Sequence, residues 1–288
     1  MQSLREALSD AAKRNVAIGH FNISDLTALR AIVDAARELN FPVLVGVSEG
    51  EREFIGTRTA AAMVRSLRDE FGHPIFLNAD HTHSLEKVKE VAEAGYDEVL
   101  FDDSKLSFEE NVKQSKRAVE IAKAANPEIL VEGEIGYIGS SSAILEKRPE
   151  ESLRLTEPEE ARRFAEETGV DVVAPAVGNM HGLLREMVAG EAHKHLDVPR
   201  IAAIKRATGR FMTLHGGSGT ADKDFVAAIK GGINFVHVNT ELRIAWRTGV
   251  EEGLRKDPAE VAPYKIMPAA YHKIFQVVKE RLKLFNSN

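Results

Sequence analysis

The chain has 288 residues, 43% hydrophobic and 28% charged, a size that suits one large barrel-type domain or two modest ones. Its 38 Lys and Arg against 44 Asp and Glu leave a formal charge of -6, which argues against nucleic acid or an anionic membrane as the main partner. There are no cysteines, so disulfides, thiolate catalysis and Cys-ligated metal centres are excluded, and any metal must be held by His, Asp or Glu.

In chain order, the opening MQSLREALSDAAKRN is a charged amphipathic stretch without the apolar core of a signal peptide. No window reaches the roughly 20 apolar residues of a spanning helix, and a cytoplasmic location is expected. Eight β-rich runs follow: 16–22, 42–48, 74–80, 98–104, 128–136, 171–178, 211–218 and 232–240. Helical patterns lie between them, such as SLEKVKEVAEAG and EPEEARRFAEETG, with apolar residues every three or four positions and terminal glycines, Gly95 and Gly169, as C-caps. Repeating βα units of about thirty residues predict parallel strands closed into one (β/α)8 barrel over residues 1–288. The polar, aperiodic stretch within about 139–156 reads as a mobile lid on the strand-end face.

In such a barrel the C-terminal strand ends carry the site. Of ten histidines, His73, His193, His195 and His272 fall in helices or loops and read as solvated or packing residues. The other six, His20, His81, His83, His181, His215 and His237, fall within strands or just after them. The ends of strands 3, 6 and 7 contribute His81, His181 and His215, and three imidazoles at one barrel mouth make an open metal site. Asp80, at the end of an apolar strand, suits proton transfer beside that metal. Asp102 and Glu134 end strands 4 and 5, where each could bind metal or orient a metal-binding histidine; for Asp102 a helix-capping role fits equally. HGGSGT at 215–220 and VNTEL at 238–242 follow strands 7 and 8, where barrels bind phosphate with backbone N–H groups and a helix N-terminus.

Together LNADHTHS, VEGEIG, AVGNMHG, TLHGGSG and VNTEL resemble class II, metal-dependent ketose-bisphosphate aldolases, from about residue 5 to the C-terminus. The resemblance implies zinc, or another divalent ion, on His81, His181 and His215, with Asp102 and Glu134 as an alternative metal site and Asp80 as the acid/base. It implies a phosphorylated ketose substrate, fructose 1,6-bisphosphate first, cleaved to dihydroxyacetone phosphate and glyceraldehyde 3-phosphate. Breaking C3–C4 leaves an enediolate, whose charge a Lewis acid stabilises. Substrate contacts carried over are Gly182, Gly216, Gly217, Ser218, His237, Val238, Asn239 and Thr240, with Asn22 and Ser48 as further polar residues near substrate. A monovalent cation and a homodimer or homotetramer also fit the resemblance, the amphipathic stretch AAYHKIFQVVKERLKLF offering one face for assembly.

The sequence departs from the family pattern at several points. His237 stands where relatives carry an asparagine, and His20 and His83 replace smaller residues. Ser142 stands near a lid carboxylate position, leaving Glu146 as the substitute base. Ala270 stands near a distal-phosphate arginine, leaving Lys265 or Arg243 to take that role. Three rivals remain open: the same chemistry on tagatose 1,6-bisphosphate or another phosphorylated ketose, a barrel hydrolase suggested by the His81–His83 pair, and a non-catalytic sugar-phosphate sensor.

Overall fold

The computed structural model describes residues 2–139, 142–147 and 154–287. Eight strands form a closed parallel barrel: β1 Ile18–Asn22, β2 Val43–Val47, β3 Ile75–Thr82, β4 Glu98–Phe101, β5 Leu130–Ile135, β6 Val172–Pro175, β7 Phe211–Leu214 and β8 Phe235–Val238. All eight lie within the runs expected from sequence, except that β3 continues to Thr82. Where a run extends past the C-terminal end of its strand, the excess is loop at the barrel mouth. The closing seam pairs His20 of β1 with His237 of β8.

Side chains alternate between the two faces of a strand, and the outward set (Val43, Val45, Val47, Ile75, Leu77, Ala79, Val131, Val173, Val236, Val238) packs under the surrounding helices. The inward set changes character along the axis. At the bottom, Ile18, Leu44, Phe76, Leu130, Val172 and Phe235 form an apolar plug with Leu4, Ala7, Leu8 and Ala11. Those last four come from helix Leu4–Lys13, which Ser3 and Glu6 start with a reciprocal capping box. Two and four residues further along the strands the inward positions are His20, Asn22, Asn78, Asp80, Glu132, Glu134 and His237, all buried. The barrel is therefore sealed below by hydrocarbon and polar above.

Gly169 caps its helix as expected, left-handed at φ 75°; helix Leu85–Glu93 is instead capped by Ala94, and Gly95, at φ 83°, follows that cap. In the C-terminal helix Pro268–Phe285, Ala270, Ile274, Val278, Leu282 and Phe285 are buried. Its apolar face is thus spent on the barrel exterior, mostly against helices Leu26–Leu39 and Thr240–Lys256. Of the expected lid, residues 140, 141 and 148–153 lie outside the described residues. Ile144–Leu145 pairs in parallel with Leu183–Leu184 as a two-stranded ribbon. Among the described residues no helix is long and apolar enough to cross a membrane.

Candidate metal centre and active site

Asp80 and His81 are adjacent in β3, so a regular strand would send their side chains to opposite faces. His81 instead has a left-handed φ of 40°, and the β3–β4 register breaks between Ala79 and Thr82. This irregularity turns both groups into the barrel mouth, where backbone strain of this kind tends to gather. Arg52 braces the bend, its guanidinium donating to the Asp80 carbonyl (3.1 Å), the Thr82 hydroxyl (2.8 Å) and the Val47 carbonyl.

His81, His181 and His215 each direct a ligating atom into one space, the three atoms lying within 4.8 Å of one another. Partners on the far side of two rings fix which nitrogen is free. His81 holds Asp102 Oδ2 through Nδ1 at 2.7 Å, leaving Nε2 to face His181 Nε2 at 3.1 Å. His215 holds Glu132 Oε1 through Nε2 at 3.0 Å, leaving Nδ1 inward. A carboxylate behind a ligating imidazole sets its tautomer and raises its basicity. Three inward ring nitrogens, two of them on imidazoles backed by buried carboxylates, fit a divalent metal with His ligation. Zinc is one ion that suits this donor set, and the ligands themselves do not single it out.

Asp80 is 2% exposed. Its Oδ2 accepts from Asn22 Nδ2 at 2.8 Å, and its Oδ1 stands 3.7 Å from His81 Nε2 and 3.9 Å from His215 Nδ1. Burial pushes this carboxyl up, but the imidazoles of His81, His237, His215 and His20 outweigh it and hold it well below the usual carboxylate range. Burial pulls His81 down, yet Asp80 and Asp102 carry it up to about 10. His181 and His237 are held well below the ordinary imidazole value, first by burial and then by neighbouring imidazoles. Glu134 is pushed well up by burial and by Asp102, and with His81 and Asp102 it forms a second group of ligand geometry.

The unusual histidines belong to this cluster. His237 Nδ1 lies 3.0 Å from His215 Nδ1, and its Nε2 contacts Asn22 Oδ1 at 2.8 Å. His20 stacks on His237 with ring centroids 4.2 Å apart, and burial leads the causes that lower it to about 3. Gly46 makes room for the pair, since a Cβ there would meet Asn22 Oδ1 at 2.1 Å and His20 Nε2 at 2.4 Å. His83 turns to the Asp102 carbonyl at 2.8 Å instead.

The remaining expected residues divide. Gly216, at φ 60°, lets its loop touch the 180–182 loop, because a Cβ would lie 2.3 Å from the Met180 carbonyl oxygen. Gly217 donates its N–H to the His237 carbonyl at 3.0 Å, and Ser218 Oγ accepts from Glu241 N at 3.4 Å. Val238 ends β8, Asn239 stands at the N-cap position of helix Thr240–Lys256 without a side-chain capping bond, and Gly182 (φ 79°) sits beside His181. Ser48 precedes helix Glu49–Ile55 and gives its backbone N–H to Glu51 at 2.8 Å. Arg243 reaches Glu51 at 2.9 Å and, with Asn22, Glu51, Asn239 and Trp246, lines a cavity of about 480 Å³. Lys265 pairs with Glu260 at 2.8 Å and lines neither described cavity. Glu146, 73% exposed, pairs with Arg185 at 2.6 Å. Ala270 is fully buried against Gly249, so that position faces the packed exterior. A larger cavity of about 1160 Å³ runs from Leu183 past Gly219–Asp222 to Arg281, and none of the clustered site histidines lines it.

Sequence reasoning missed Glu132, Glu51, Arg52 and Lys194. Glu132 was within reach, because it lies two residues before Glu134 and shares its face; the other three act through contacts between distant segments.

A parallel barrel whose mouth gathers three inward imidazoles that could hold a metal, a buried carboxylate and two glycine loops has the make-up of a (β/α)8 enzyme. The family model described as "Fructose-bisphosphate aldolase class-II" matches residues 2–288. A fructose-bisphosphate aldolase of Staphylococcus aureus (strain Mu50) is 34% identical over 289 residues, 99% of this chain and 97% of the relative. One from Thermus caldophilus is 33% identical, covering 98% and 97%. Among solved structures, the YdjI aldolase of Escherichia coli K12 superposes with a TM-score of 0.82 at 26% identity, covering 98% of this chain and 96% of that one. A putative fructose-1,6-bisphosphate aldolase of Coccidioides immitis gives 0.80 at 25%, covering 98% and 95%. The chain belongs to the class II fructose-bisphosphate aldolase family, carbon–carbon lyases that act on phosphorylated sugars and generally depend on a metal.

Proposed function

We propose that this protein cleaves a ketose 1,6-bisphosphate, fructose 1,6-bisphosphate foremost, to dihydroxyacetone phosphate and glyceraldehyde 3-phosphate, with zinc held by His81, His181 and His215. The observation that carries the reading is the convergence of three inward imidazole nitrogens beside the buried Asp80 carboxyl. The metal would supply Lewis acidity for the charge left on the ketose half as the C3–C4 bond breaks.

This chain's residues do the rest. Asp80, held by Asn22, takes the proton from the C4 hydroxyl as that carbon becomes the aldehyde. Asp102 and Glu132 keep two imidazoles presenting the correct nitrogen. Gly182, Gly216, Gly217, Ser218 and the 237–240 segment surround one phosphate. Gly217 already spends its N–H on His237, so Ser218 and the first turn of helix Thr240–Lys256 are the natural donors. Arg243 takes the distal phosphate from its cavity beside Asn22, and the 139–156 segment acts as the lid carrying Glu146. Exposed Phe54, Val261 and Tyr264 supply apolar surface for a homodimer or homotetramer.

The test is cleavage of fructose and tagatose 1,6-bisphosphates in parallel, on chelator-treated protein before and after zinc is restored. Activity that vanishes and returns with zinc supports the reading, and the faster substrate names the epimer. Zinc-loaded protein that cleaves neither overturns it and turns attention to His20 and His237.

A further inference from the structure

Lys194 is a lysine only 3% exposed. An ammonium has three donors, and Lys194 Nζ gives hydrogen bonds to three backbone carbonyls: Met180 at 2.7 Å, Gly182 at 2.7 Å and Gly216 at 2.9 Å. Met180 and Gly182 flank His181, and Gly216 follows His215. One positive charge therefore ties together the two loops that carry two of the three converging imidazoles.

The seat is built from several directions. Lys194 gives its backbone N–H to the Gly219 carbonyl at 2.9 Å and accepts from Ala221 N at 3.3 Å, so its loop segment is strapped to the glycine-rich turn. Asp224 fixes the next two residues, contacting His195 Nδ1 at 3.0 Å and accepting from Leu196 N at 3.2 Å. Gly178 allows a close approach, since a Cβ there would meet the His195 carbonyl oxygen at 2.5 Å. Gly216 does the same between the two loops, with a Cβ only 2.3 Å from the Met180 oxygen. Backbone carbonyls converging on one centre are the means by which proteins strip water from a potassium-sized ion, and an ammonium group is of similar size and equal charge.

We propose that the Lys194 side chain is a built-in monovalent cation, filling a carbonyl seat between the metal-histidine loops that would otherwise call for a free ion. Lys194 is a positioning residue: it holds the His181 and His215 loops in register and places a fixed positive charge behind the Gly216–Ser218 turn. The monovalent cation expected from the sequence resemblance is thereby supplied covalently. The charge behind the turn and the zinc readout rest on the function proposed above; the seat itself, read by thermal melting, does not.

The experiment compares the full-length, zinc-loaded wild type with Lys194→Ala and Lys194→Met in KCl, NH4Cl and tetramethylammonium chloride at equal ionic strength. Thermal melting and bound zinc are read first. The wild type should melt alike in all three salts. Lys194→Ala in tetramethylammonium chloride should melt about 5 °C lower and bind zinc more weakly, and K⁺ or NH4⁺ should restore both. Lys194→Met keeps the stem in the seat, so it should show the same losses without rescue. Equal behaviour of Lys194→Ala in all three salts, including failure to fold in every one, overturns the proposal. So does equal rescue of both variants, which marks a general salt effect, and so does a wild type that itself requires K⁺. Inorganic phosphate binding by calorimetry then reads the charge behind the turn: the Ala variant should lose about tenfold in tetramethylammonium chloride and recover in KCl, and unchanged affinity overturns that part. None of these readouts needs cleavage of a sugar, so failure of the proposed function is seen separately.

Discussion

Replacing Asp80 with asparagine isolates proton transfer from metal ligation. The amide keeps the shape of the carboxylate, and its oxygen can still accept from Asn22 Nδ2, now 2.8 Å from Oδ2. The negative charge 3.7 Å from His81 Nε2 and 3.9 Å from His215 Nδ1 disappears. General acid–base catalysis is worth about 10²- to 10⁴-fold, or about 3–5 kcal/mol of barrier, so kcat should fall by that factor. The three imidazoles remain, and losing one neighbouring carboxylate should weaken metal binding by about 10- to 100-fold. Cleavage is therefore measured at saturating zinc, with metal content determined on the same samples and inorganic phosphate binding followed by calorimetry. The expected result is lost turnover with zinc and phosphate retained. Turnover within threefold of wild type at full zinc occupancy would refute proton transfer by Asp80. Loss of zinc and phosphate together would show that Asp80 mainly anchors Asn22 and the β3 bend.

Three other perturbations probe the supports. Glu132→Gln removes the charge behind His215 Nε2 at 3.0 Å, so zinc affinity should fall about 10- to 100-fold in competition with a chromophoric chelator; unchanged affinity would deny Glu132 that role. Gly216→Ala puts a Cβ 2.3 Å from a backbone oxygen at φ 60°, and chemical denaturation should show a loss on the order of 2–4 kcal/mol; a loss under 1 kcal/mol would mean the loops separate freely. Glu98 is pushed well above its ordinary value of 4.5, first by burial and then by Glu132. The folded chain thus keeps a proton that the unfolded chain sheds, and this group costs stability progressively as pH rises above 4.5. Glu98→Gln should therefore gain on wild type as pH is raised from 5 to 9 in denaturation curves, and a pH-independent difference would contradict the buried-carboxyl account.

The order and number of strands were legible because each βα unit carries its own signal: an apolar run, an amphipathic helix and a glycine stop. The site histidines were legible through the same frame, since a residue following an apolar run lands at the barrel mouth whatever its partners are. The register break that turns both Asp80 and His81 inward was not legible, because strand periodicity places neighbours on opposite faces and the break is braced by Arg52 from a distant segment. The place of Ala270 in the packed exterior was hidden for a related reason: alignment gives a position along a helix, and helix packing decides which way it faces.

By itself, then, the sequence determined the barrel, its polar mouth and the three imidazoles, because these follow from local periodicity and from chemistry fixed at strand ends. Tertiary structure alone decided which nitrogen each ring presents, that His20 and His237 stack within the same cluster, and that Lys194 sits among three carbonyls. Those contacts join segments far apart in the chain, such as Asn22 with His237 and Glu132 with His215. The first exists only once closure of the barrel has brought the first strand against the last, and the second only once β5 and the end of β7 share one mouth.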